Sequence, residues 1–343
     1  MTMQEFLQKQ SLPYEAKIAH AEIRAKEFYN TIIGSAYNAN CHVSVGGLDS
    51  ITLFLFLNSI GIKIPGISVS TLEDKSIQRV HKNLGIIPIS PLKSKVDVIQ
   101  EYGFPVISKD KSAKIEVLQN PNSKLSTVNS IMTGYIGNKN NYEYSKMKKL
   151  PDKWIRQFGG IYASKRPDLT CKVAPFKVSA RCCFWLKEKP CDNWGKEHNS
   201  YPYLGLMASE GGQREQGLIR NGCNYYGKLT TRSCPFSIFN RQDLLQLALD
   251  LKVPIPEIYG EIKSKPDGTL YTTKAQRTGC SMCGFGIHIE KRPHRFDRLK
   301  EDNPKEWAYW MYEVGWGKVL DWIGVEWENL PGALLGQITL MEI

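Results

Sequence analysis

Apolar positions recur at helical spacing from residue 14 to residue 37, with Ala, Glu and Lys between them, which predicts an amphipathic helix. The pattern then changes. "CHVSV" (41–45) predicts a buried strand, "GGLDS" (46–50) a turn, and "ITLFLFLNSIG" (51–61) a helix with an apolar face, closed by Gly61. A second strand is expected over "IPGISVST", a polar-faced helix over "LEDKSIQRVHKNLG" ending at Gly85, and a third strand over "IIPISP". Strands alternating with helices of this length predict an α/β fold built on a doubly wound, parallel sheet.

The pattern weakens between about 108 and 170. "NKNNYEYSKMKKLPDKWIRQFGG" is polar, basic and aromatic, and is expected to form an exposed helical insertion or a surface arm. It is either a solvated face or a contact surface for nucleic acid. "YLGLMAS" (203–209) and "CPFSIF" (234–239) read as further strands. "NRQDLLQLALDLKVPIP" reads as an amphipathic helix with Asn240 as its N-cap. The last third is helical and tryptophan-rich, and most of its aromatics are expected in a core. These patterns divide the chain into an N-terminal helical segment (1–37), an α/β domain (38–260) with a basic insertion near 110–170, and a helical, cysteine-bearing C-terminal region (261–343).

Composition narrows the class. In 343 residues, 42% are hydrophobic, enough for a packed core and too many for a disordered chain. No apolar run reaches the roughly 18 residues of a membrane span, and the N-terminus lacks the basic-then-apolar order of a secretory signal. A soluble cytoplasmic protein is the expectation. A formal charge of +11 favours polyanions, nucleic acid or nucleotide alike, although solubility alone also accounts for it. Nine cysteines without a secretion signal point away from a disulfide framework and towards metal binding or reactive thiols.

The turn after the first strand carries the first candidate chemistry. A strand that ends in Gly46-Gly47 and leads into a helix brings backbone N–H groups and the positive helix end to one point, which suits an anion. Asp49 is placed to hold the turn or the nucleotide, and Ser50 to donate a hydroxyl to a phosphate oxygen. An ordinary strand-to-helix turn is the alternative. "VGGLDS" resembles the SGGxDS loop of the PP-loop ATP pyrophosphatase superfamily, which binds the phosphates of adenine nucleotides. It departs from that loop at Val45, where serine is usual, and at Leu48, where lysine is frequent. Ser44, one residue earlier, is the candidate to replace the missing hydroxyl.

The cysteines carry the second. Adjacent Cys182 and Cys183 are followed about a hundred residues later by Cys280 and Cys283 in "RTGCSMCGFGIH", where Gly279 and Gly284 permit a tight turn. Four thiolates suit zinc or an iron–sulfur cluster. The tandem pair with a distant CxxC is similar to the cluster motif of adenylyl-sulfate reductases, in the phosphoadenosine-phosphosulfate (PAPS) reductase branch of the same superfamily. Lys187 and Lys189 before Pro190 add to that likeness, and the DNA phosphorothioation sulfurtransferases fall in the same wider group. The resemblance spans roughly residues 38 to 325 and implies an adenine nucleotide alpha hydrolase-like fold and a [4Fe-4S] cluster on Cys182, Cys183, Cys280 and Cys283. Cys223 is an alternative ligand or a reactive thiol. Cys41, Cys171, Cys191 and Cys234 have no partner by spacing and read as structural.

Around the nucleotide, Glu210 and Arg214 follow a predicted strand, as an acidic residue and an arginine do in the resembling families. Arginine can clamp phosphate through two parallel hydrogen bonds. Ser70 and Thr71 close the second strand, Lys109 is a further candidate anion ligand, and His288 and His294 follow the CxxC in supporting roles. Three functions fit. In the first, ATP or a related adenine nucleotide is bound and an acceptor is adenylated, with Asp49, Arg214 and Cys223 as catalytic candidates and the cluster serving sulfur transfer. The acceptor is a nucleic acid or a small molecule, and a sulfur or electron donor protein is a possible partner. In the second, adenylyl sulfate or PAPS is reduced to sulfite, which needs a nucleophilic cysteine in a C-terminal Glu-Cys-Gly-[Leu/Ile]-His segment; no cysteine follows Cys283. The third is a non-catalytic nucleotide- or nucleic-acid-binding module with a structural metal centre. The first is the expectation.

Overall fold

The computed structural model describes residues 2–138, 141–228 and 230–328. The chain forms two units, one from Met1–Leu92 with Lys187–Ser281, the other from Lys93–Leu186 with Met282–Ile343. The expected basic insertion therefore falls inside the second unit. The expected C-terminal region is divided between the two, with Cys280 in the first and Cys283 in the second.

The first unit carries a six-stranded sheet. Its strands are β1 (Asn40–Ser44), β2 (Gly66–Ser68), β3 (Ile87–Pro88), β4 (Ser200–Leu204), β5 (Asn224–Tyr226) and β6 (Thr231–Ser233), in the order β3-β2-β1-β4-β6-β5. All neighbours run parallel except β5 and β6, which are antiparallel at one edge. β1 lies at the centre with Cys41, His42 and Val43 buried, which is why it reads as a continuous apolar run. The architecture is α/β, with helices flanking a mostly parallel sheet.

Helices α1 (Met3–Gln10), α2 (Tyr14–Ile33), α3 (Leu48–Ser59) and α4 (Lys75–Asn83) precede the chain's departure into the second unit. On its return come α5 (Lys189–Glu197), α6 (Gly212–Asn221) and α7 (Arg241–Asp250). α3 is apolar on nearly every side, and Leu48, Ile51, Leu53, Phe54, Phe56 and Leu57 are all buried, as expected of a helix at the heart of a core. α7 starts at a capping box in which Asn240 accepts the N–H of Asp243 and Asp243 accepts the N–H of Asn240. The Asp243 carboxylate also takes Lys17 of α2 at 2.8 Å, a buried ion pair that fastens α2 to α7.

Two expected strands are corrected. "CPFSIF" is a turn, with Cys234, Phe236, Ile238 and Phe239 all fully buried, and the strand lies just before it at Thr231–Ser233. An apolar run of that length reports burial, which a core-filling turn and a strand share. "YLGLMAS" is strand only to Leu204. Its Gly205 packs against the start of α3, where a Cβ would lie 3.0 Å from the Asp49 carbonyl oxygen, and Ala208–Glu210 form a 3₁₀ turn.

The second unit has its own core, in which Trp154, Trp307, Trp310, Trp316 and Trp327 pack with Phe104, Phe158 and Phe296. The expected burial of the aromatics holds. Val106–Ile107 pairs in parallel with Gly284–Phe285. The basic, aromatic stretch forms no single exposed helix. Tyr135–Asn138 and Asn141–Tyr144 make an antiparallel pair, and the helix Asp152–Phe158 buries Trp154, Ile155 and Phe158. The residues between the two strands (139–140) and the chain from 329, with its "LPGALLGQITLMEI", lie outside the described residues. Among the described residues no helix is long and apolar enough to cross a membrane.

Candidate functional site

In the first unit a cavity of about 430 Å³ opens at the carboxyl ends of β1, β2 and β4, where Ser44, Ser68 and Leu204 are the last strand residues. The strand order reverses at β1: β2 and β3 lie to one side and β4 to the other. Open α/β sheets bind their ligands at such a switch point.

The turn from β1 to α3 forms one wall. Ser50 Oγ accepts the Gly46 N–H at 2.7 Å and donates to the Gly47 carbonyl at 3.0 Å, so this serine shapes the turn. The Tyr259 hydroxyl accepts the Leu48 N–H at 3.1 Å and meets Thr278 Oγ1 at 2.8 Å, serving as the cap that Gly47 cannot supply. A Cβ on Gly47 would lie 2.3 Å from that hydroxyl, so the position has room only for glycine. His81 closes the turn from the other side. Its Nε2 donates to the Gly46 carbonyl at 2.8 Å, which leaves Nδ1 to accept from the Ser70 hydroxyl at 3.0 Å. Burial lowers the His81 pKa and favours this neutral ring.

Four cations and three carboxylates line the cavity. Arg241 Nη1 holds Asp49 at 2.7 Å and its Nη2 donates to the Gln276 carbonyl at 3.0 Å. Glu210 takes Arg214 and, at 3.4 Å, Arg277. Glu73 takes Lys187. Burial raises the Asp49 carboxyl above the ordinary value, although Arg241 pulls the other way. Burial works against the charge on Lys187, but Cys280 and Glu73 beside its ammonium hold it above the ordinary lysine range. Arg214 and Arg277 are half or more exposed at their side chains, while the Glu210 carboxylate between them is 5% exposed and its Oε2 has no hydrogen-bond partner. The arginines are thus oriented before any anion enters, and the free Glu210 oxygen could accept from a hydroxyl or an amine.

Of the expected nucleotide residues, Ser44, Gly46, Gly47, Asp49, Ser50, Glu210 and Arg214 come together around this cavity. Ser70 is one step removed, acting on the turn through His81. Lys109 belongs to the second unit, where it begins the helix Lys109–Gln119. Cys223 is in the first unit but is not among the lining residues. Its sulfur lies 2.7 Å from Ser237 Oγ, and burial pushes its thiol up, away from the reactive thiolate. Glu73, His81, Arg241, Tyr259, Arg277 and Thr278 were not anticipated. Arg241 follows an N-cap and Arg277 and Thr278 precede the CxxC, but neither signal tells that the chain folds them back onto a turn some 190 to 230 residues earlier.

Cys182 and Cys183 open a helical stretch that passes through a π turn at Phe184–Glu188 into α5. At the other motif, Met282 takes a left-handed backbone (φ 53°), uncommon for a non-glycine residue, and Arg295 Nη1 donates to the Cys283 carbonyl at 3.2 Å. Cys182, Cys183 and Cys283 belong to the second unit and Cys280 to the first. Among the described residues no three His, Cys, Asp or Glu side chains form a group able to hold a metal ion. His294 caps the helix Arg295–Asp302, its Nδ1 accepting the Asp297 N–H at 3.2 Å, and His288 packs edge-on against Trp154, so both serve the second unit's own structure.

Set beside known proteins, the chain matches no family model and no curated sequence.

Proposed function

We propose that the first unit binds ATP or a related adenine nucleotide, with its phosphates against the Gly46–Ser50 turn, and that the chain is a PP-loop enzyme of the PAPS reductase type. Its fold would then be the adenine nucleotide alpha hydrolase-like form of the α/β class. The observation that carries this reading is the cavity at the switch point, lined at once by that turn and by Lys187, Arg214, Arg241 and Arg277.

The chemistry is adenylyl transfer. A nucleophilic oxygen of the acceptor forms a bond to the α-phosphorus while the α–β anhydride bond breaks, and the electron pair leaves with pyrophosphate. Negative charge grows on the phosphate oxygens as this happens. Arginines placed in advance stabilise it without a reorganisation cost. Asp49 works through Arg241, setting the guanidinium that faces the phosphates. A [4Fe-4S] cluster on Cys182, Cys183, Cys280 and Cys283, serving sulfur transfer, belongs to the same proposal. It is supported by the cysteine spacing and by the resemblance of the two motifs to those of adenylyl-sulfate reductases.

Calorimetry with ATP on anaerobically purified protein tests the nucleotide. Wild type is expected to bind with stoichiometry of one and Asp49→Ala to lose at least tenfold in affinity; equal affinity removes the turn from the site. Iron analysis of the same preparation decides the cluster, and zinc in its place ends the iron–sulfur part.

A further inference from the structure

A helix laid over a sheet ordinarily turns an apolar stripe inward. In α5 only Pro190 and Gly195 are buried, and Cys191, Asp192, Gly195 and Lys196, at helical spacing, line a second cavity of about 690 Å³. The strands beneath supply polar groups too. His42 and Ser200, 2% and 8% exposed, meet at 2.8 Å between Nδ1 and Oγ, and both line this cavity. α5 comes close to β4 at one point, where a Cβ on Gly195 would lie 2.8 Å from the Ser200 carbonyl oxygen. Asp192 and Lys196 are exposed side chains of the cavity wall, whereas the His42–Ser200 pair is buried.

The two cavities share Ser44, Lys187, Cys191 and Leu204 as common walls. A molecule in the second therefore lies beside whatever occupies the first. Its charged lining has both signs, with Lys187, Lys196 and Arg232 against Glu188 and Asp192. Burial, followed by the neighbouring Glu188, raises the Asp192 carboxyl, a cost that a cation placed there would remove. Cys191, at the common wall, has its thiol pushed up to about 11 by burial. It is thus a neutral wall group.

We propose that this second cavity binds a small zwitterion of the amino-acid type, its ammonium towards Glu188 and Asp192 and its carboxylate towards Lys196 and Arg232. That this molecule is the co-substrate rests on the nucleotide reading of the first cavity; that it binds does not. The test is calorimetry of the full chain with each of the twenty proteinogenic amino acids, with and without α,β-methylene-ATP, whose α–β bridge cannot be cleaved. At least one is expected to bind with Kd below about 1 mM. Lys196→Ala and Asp192→Asn are each expected to weaken it at least tenfold while leaving α,β-methylene-ATP affinity within twofold, which also shows that the variants are folded. The proposal is overturned if no amino acid binds below about 10 mM, if both substitutions leave the affinity unchanged, or if amino acid and α,β-methylene-ATP exclude one another. Amino-acid binding that keeps its sensitivity to both substitutions while α,β-methylene-ATP fails to bind would sink the nucleotide reading and leave this one standing.

Discussion

Gly47 shows how one position can serve a site through what it lacks. Its φ of −78° is open to any residue, so the requirement is steric: the Tyr259 hydroxyl stands where a methyl would go. Gly47→Ala is expected to cost about 1–3 kcal/mol, as overpacking does, read as a lower urea midpoint. Phenylalanine at 259 removes the oxygen and leaves the ring carbon 3.6 Å from the new methyl, an ordinary contact. The double variant Gly47→Ala, Tyr259→Phe is therefore expected to recover part of the loss. An unchanged midpoint in Gly47→Ala would mean that the tyrosine does not hold this place. Ser50 makes a related point. The sequence suggests a phosphate donor, whereas its hydroxyl is spent inside the turn, between Gly46 and Gly47.

Between elements, the Lys17–Asp243 pair is the clearest long-range fastening, with side chains 4% and 9% exposed. Lys17→Ala leaves a buried carboxylate facing no cation and is expected to cost about 3 kcal/mol or more. Lys17→Met with Asp243→Asn, which removes both charges and keeps an amide at the N3 position of α7, is expected to cost less. Equal losses in urea unfolding would show that the pairing is not what matters. The elements themselves were largely legible. Apolar runs gave β1 and α3, and period-3.6 patterns gave α4 and α7, each to within a few residues, because burial leaves its record in the sequence. "CPFSIF" misled because full burial erases periodicity, and the basic stretch around Trp154, expected as an exposed helix or a surface arm, forms a strand pair and a helix that buries Trp154. Half the site was readable from the glycine turn and from Glu210 and Arg214. Arg241, Tyr259 and Arg277 were not, since their role depends on a long-range return of the chain that no local spacing encodes.

At the scale of the whole molecule, buried histidines add to the response to acid. Burial, with His198 adding to it, pulls His42 from 6.5 down to about 4, and burial lowers His81 as well. Above pH 6.5 both the folded and unfolded forms hold these rings neutral, and stability is unaffected by them. As pH falls from 6.5 towards 4 the unfolded chain takes up protons that the folded one refuses, so stability drops, by on the order of 3 kcal/mol from His42. Unfolding measured at pH 7 and pH 4.5 is expected to show that decline, and His42→Gln to flatten it; parallel curves for the two proteins would rule His42 out.

The route of the chain has its own consequence. Strand β1 is made before residue 92, whereas its neighbour β4 begins at residue 200, with the whole first leg of the second unit synthesised in between. On the ribosome the centre of the sheet must wait, apolar edge uncovered, for more than a hundred residues to emerge. The early product is a fragment in need of shielding, and a stop codon anywhere before residue 281 leaves neither unit whole.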